Sequence, residues 1–169
     1  MEKIIVTVCI ILTAVIMYFL LRERQNDDNK DLVLNRNLRE ADALIAFAAN
    51  GGGGWVTQLS LRESEITALQ LSVRSVQLYI AHIIEILLDS DVSPEKHGGI
   101  IAVDGRVPWK IWIITPCQIS AQELRGACIS SMNNAMTVDI LQKKISPTWR
   151  TLTDARRVFV EDENKILFS

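Results

Sequence analysis

Cys117, His97 and His82 are the side chains of this chain whose types could support nucleophilic chemistry. A thiol attacks as its thiolate, and a neighbouring imidazole is the usual group that takes its proton. Cys117 follows Pro116 at the end of an apolar run and precedes Ser120, which opens a helix pattern. That places it at a strand-to-helix junction, near a helix amino terminus. His97 lies in a turn beside Gly98 and Gly99, and His82 lies in a long apolar stretch. Cys128 falls inside the helix pattern that Ser120 opens, and the default reading of both Cys117 and Cys128 is a buried thiol. Burial is the commoner fate of a cysteine, so a thiol-dependent enzyme using Cys117 is the second reading here and not the first.

Other chemistries have less to stand on. A metal site needs three or four convergent ligands, and the chain has no His-x-x-x-His or Cys-x-x-Cys pair, so no metal or cofactor is expected. Glycines 51–54 could let a backbone approach phosphate, but Trp55, Val56, Thr57 and Gln58 follow instead of Gly-Lys-Ser/Thr, and no strand is predicted before them. They read as a hinge between helices. The acid pairs Asp89/Asp91 and Asp162/Glu163 read as solvated turn residues. Eighteen Lys and Arg against twenty Asp and Glu give a net charge of -2, which supplies no overall drive toward nucleic acid.

The elements that must position these residues begin with an anchor. Ile4 to Leu21, IIVTVCIILTAVIMYFLL, is uncharged. At about 1.5 Å per residue it covers most of a hydrocarbon core about 30 Å thick. It ends in Phe19, Leu20, Leu21 and Arg22, not in the small-x-small site of a cleaved signal peptide. Residues 1–22 are therefore expected to form a single transmembrane helix in the lipid bilayer. Lys3 alone precedes the span, whereas Arg22, Arg24, Lys30, Arg36 and Arg39 follow it, which favours a cytoplasmic carboxyl-terminal domain. Few cysteines and no Asn-x-Ser/Thr site agree with that side.

Residues 23–30 form a polar stem, and residues 31–90 read as a helical hairpin with a glycine hinge at 50–54. Its first helix carries Leu34, Leu38, Ala41, Ile45 and Ala48 at spacings of three and four. Its second is expected from Ser60 to Leu88, opened by Ser60 and Glu63 at capping-box spacing, and buried in its second half. Leu59, Ile66, Val73, Ile80 and Leu87 recur every seven residues, with Leu69 and Val76 interleaved. Leu59, Ile66, Leu69, Val73 and Val76 are the residues expected at an interface if this helix joins a second copy or a protein partner.

Residues 91–169 read as a small α+β unit. Asp104-Gly105 between apolar runs signals a hairpin, with strands at Ile100 to Val103 and about Arg106 to Thr115. A helix follows from Ser120 to about Met136, and another from Ser146, with Pro147 in its first turn and carrying Trp149, Leu152, Ala155, Arg156, Val158 and Phe159. The EDEN run at 161–164 should end it, leaving Lys165 to Phe168 as a third strand. The fold class is thus mainly α with a small sheet. The expected function is a non-enzymatic, single-pass membrane interaction or assembly module. A thiol enzyme and a membrane-tethered ligand sensor are the alternatives.

Overall fold

The computed structural model describes residues 17, 37–103, 107, 109–131 and 136–167. The chain divides into Met1–Arg36 and Asn37–Ser169. The expected membrane span, apart from Met17, and the polar stem lie outside the described residues. Among those that are described, no helix is long and apolar enough to cross a membrane.

The second unit is α+β, with a four-stranded antiparallel sheet. Residues 55–61, WVTQLSL, form β1 (Trp55–Leu61) at its centre. Alternation sends Val56, Gln58 and Ser60 to one face and Thr57, Leu59 and Leu61 to the other. Ile100–Val103 is β2, Lys110–Thr115 is β3 and Val138–Lys144 is β4, and the strand order is β2-β3-β1-β4. Trp55 faces Thr115 on one side and Lys144 on the other, and Gln58 faces Trp112 and Leu141.

Helices cover both faces. Residues 37–47 form α1, which runs into a π turn at Ala48–Gly52. With α5 (Leu152–Leu167) it buries Ala41, Ile45, Leu152, Ala155 and Phe159 against Val56, Trp112 and Ile114. The Phe159 ring meets the edge of Trp112 at 5.4 Å between centroids and 70° between planes. This is a favoured aromatic geometry. On the opposite face α3 (Val73–Asp89) and α4 (Ala121–Ser131) bury Val76, Ile80, Ile83, Leu87, Leu124 and Cys128 over Leu59, Leu61, Ile111 and Ile113. The amphipathic stripe expected for residues 31–49 is present where described, and in α5 the buried residues are Leu152, Ala155 and Phe159.

The expected helix from Ser60 to Leu88 is corrected. Its first residues belong to β1, and the glycine run joins a helix to a strand instead of two helices. A short α2 (Glu63–Ala68) follows, and α3 starts only at Val73. The break needs neither Gly nor Pro. Gln70 takes φ +50, its N-H bonds to Thr67 O at 3.1 Å, and Leu71 N-H bonds to Ile66 O at 3.1 Å. These two bonds are a Schellman end, with Ile66 and Leu71 resting on the core. Ser72 then caps α3 by accepting from Ser75 N-H at 3.2 Å. In α3's second half only one stripe is buried, and Leu88 is exposed.

The carboxyl-terminal expectations are corrected too. The helix starts at Leu152, not at Ser146, because Thr151 and Asp154 cap it reciprocally. Leu152 N-H also donates to Asp42 on α1 at 2.7 Å. EDEN continues the helix, so Lys165 to Leu167 are helical, and the strands joining the hairpin are β1 and β4. The hairpin itself is present, but Val103 pairs with Ile111. A two-residue turn would pair it with Arg106. Residues 104–110 instead separate the paired positions, and Asp104 and Gly105 lie outside the described residues.

Gln70 stands where glycine is the usual residue, since a Cβ in the left-handed region is strained. Gln70→Gly is expected to stabilise the domain by roughly 0.5–1 kcal/mol in urea unfolding. A loss of stability would mean that this turn does not hold its left-handed form.

Candidate functional site

The β2/β3 ladder does more than build the sheet. Ile100 faces Ile114. Carrying that register three residues further out sets position 97 opposite position 117. There His97 Nδ1 stands 4.0 Å from Cys117 Sγ, both residues being exposed. Two of the three residues singled out for nucleophilic chemistry are thus brought together. His82 is not one of them: it sits on the outer surface of α3, 3.8 Å from Glu85.

Both sides of the pair are fixed by backbone. A Cβ on Gly99 would lie 2.2 Å from Ile114 O, so only glycine lets this segment approach β3. Gly98 takes φ +70 at the end of the 3-10 turn Glu95–His97, and His97 N-H donates to Pro94 O at 3.0 Å. On the other side Thr115 Oγ1 donates to Cys117 O at 2.7 Å. Beyond it, Gln142 of β4 donates to Ile119 O at 2.7 Å and accepts from Gln118 at 3.2 Å. The thiol and imidazole so held stand at the outer limit of a sulfur hydrogen bond, with the sulfur open to a solution electrophile. Among the described residues no group of three or more His, Cys, Asp or Glu could hold a metal ion.

Two other arrangements were hidden in the sequence. Under α5, Glu163 accepts from Lys110 Nζ at 2.8 and 2.9 Å and from Gln58 Nε2 at 2.6 Å, and Asp162 pairs with Lys143. These acids, expected in a solvated turn, tie the end of α5 to the sheet. Among the described residues, Gln58 Oε1 and Trp112 Nε1 are buried there without a hydrogen-bond partner. At the other end of β1 a cleft of ≈ 430 Å³ opens between α4 and the start of β4. Arg62 holds Asp139 at its wall by two hydrogen bonds of 3.0 and 3.1 Å. Arg62, Asp139 and Arg125 offered no sequence signal, because β4 itself was not foreseen.

The expected interface residues do not share one surface. Leu59 and Val76 are in the core, and Ile66 is half-buried. Leu69 and Val73 are exposed at 54% and 63%. Of the two thiols expected to be buried, Cys117 is exposed, because it lies beyond the end of β3, and Cys128 is buried, which pushes its thiol from the ordinary 9.0 up to about 11. Comparison with protein-family models, with curated proteins and with solved structures gave no match.

The Cys128 shift has a sign. Between 9.0 and about 11 the folded thiol keeps a proton that the unfolded thiol releases, so unfolding is favoured as pH rises. The contribution is intact below 9 and is lost through that window. Urea midpoints should fall more steeply between pH 9 and 11 for the parent than for Cys128→Ala, compared as slopes because the variant starts less stable. Parallel slopes would show that Cys128 is not held away from water.

Proposed function

We propose that the chain is a single-pass membrane-tethered interaction module, anchored through Ile4 to Leu21 with its carboxyl-terminal domain in the cytoplasm. The supporting observation is that three large apolar side chains of the α2–α3 segment, Leu69, Val73 and Leu78, are left 54%, 63% and 66% exposed. These side chains lie outside a domain whose sheet already has helices on both faces. Large apolar groups left on such a surface favour covering by another protein. The anchor makes association easier by concentrating copies in one plane, so a second copy is the first partner to test.

The test uses the full chain in membranes, with chemical crosslinking across a dilution series. Leu69→Asp with Val73→Asp should weaken self-association by about tenfold or more, an energy of about 1.4 kcal/mol. Since both positions are exposed, the unfolding midpoint should barely move. Association at parental strength would remove this surface as the interface.

A second reading is thiol chemistry at Cys117, favoured by the 4.0 Å approach of His97. In sealed vesicles carrying the Cys9→Ser chain, a membrane-impermeant maleimide should label Cys117 far faster than Cys128, and only after lysis if the domain is cytoplasmic. His97→Ala should slow that labelling several-fold near neutral pH. An unchanged rate would leave Cys117 an ordinary surface thiol, and labelling before lysis would reverse the proposed orientation.

A further inference from the structure

The cleft between α4 and β4 combines an apolar lining with an unbalanced charge. Cys128 and Ile129 from α4, with Met136 and Val138 from the opposite side, supply the apolar part, and Ile129 is 55% exposed. The charged part is Arg62, Arg125 and Asp139, two guanidiniums against one carboxylate. The carboxylate is already engaged by Arg62. Glu65, 3.8 Å from Arg62, accepts Thr137 N-H at 2.7 Å, and that bond above all holds its carboxyl below the usual range. The Arg125 guanidinium has neither an ion pair nor a hydrogen bond among the described residues.

The volume, ≈ 430 Å³, is within the range of small-molecule sites, roughly 300–1,000 Å³. A guanidinium presents parallel N-H donors that match the two oxygens of a carboxylate. We propose that this cleft binds a small apolar carboxylate, with its acid group on Arg125 and its hydrocarbon part against Ile129, Met136 and Val138. Free short-chain acids and the acyl carboxylates of a membrane share this chemistry. The site is separate from the α2–α3 surface and does not depend on the assembly reading.

The probe is hexanoate, titrated against the full chain in zwitterionic lipid nanodiscs with methionine methyls carbon-13 labelled. Met136→Leu assigns the reporting signal. The Met136 methyl should shift saturably with hexanoate, and hexanol should bind about tenfold more weakly, because it lacks the charge that Arg125 meets. Arg125→Gln should weaken hexanoate by about the same factor and leave hexanol unchanged. No saturable shift, equal binding of acid and alcohol, or an Arg125→Gln chain that binds hexanoate normally would each overturn the proposal. In nanodiscs containing oleic acid and no hexanoate, a shifted Met136 signal would assign the membrane as the source. An unshifted signal, with hexanoate still bound, would assign a free acid.

Discussion

Strand β1 has to satisfy hydrogen bonds along both edges and burial on both faces, and that constraint decides where the other elements go. Its edges are taken by β3 and β4, so the β2–β3 hairpin extends the sheet on one side only. Its faces demand two separate helical layers, and these come from distant parts of the sequence: α1 and α5 on one face, α3 and α4 on the other. Gln58 shows how strict the demand is. A fully buried amide in the middle of a central strand is costly unless it is bonded, and Glu163 reaches back from the end of α5 to accept from its Nε2. The sheet therefore dictates that α5 continue through an acidic run that would otherwise suit a solvated loop.

Legibility in the sequence followed the strength of the local pattern. The hairpin strands were plain, expected at 100–103 and about 106–115 where the second begins at Lys110, because both runs are largely apolar and rich in Ile. So were the inward faces carrying Ala41 and Ile45, or Leu152, Ala155 and Phe159, because apolar residues recur at helical spacing. β1 was concealed for two reasons. Gln58 and Ser60 dilute its apolar character, and Leu59 lies seven residues before Ile66, so that a strand residue joined an accidental heptad series. β4 reads VDILQKK, with the charges and amides common on a sheet edge, and offered no strand signal.

The candidate site was half legible for a related reason. Residue types named Cys117 and His97, but their approach depends on a register that no local rule supplies. A tight Asp-Gly turn would have placed His97 opposite Trp112, five residues from where the ladder puts it. Burial of Ile111 and Ile113 on one face and Trp112 and Ile114 on the other excludes that five-residue shift, which would exchange the two faces. Arg125 and its cleft were invisible, since an isolated arginine on a helix carries no pattern at all.

The hairpin has two ends with different freedoms. At one end residues 104–110 lie between the last paired positions, while at the other Gly99 packs against the backbone of β3 beside His97 and Cys117. A residue gained or lost in 104–109, ahead of the first residue of β3, need not disturb the far end, because a one-residue slip would turn every side chain of β2 to the wrong face of the sheet. Length variation would be absorbed in the connection, whereas the segment around Gly98 and Gly99 has no such slack. Related chains could differ widely in the size of that connection and still present the same thiol and imidazole side by side.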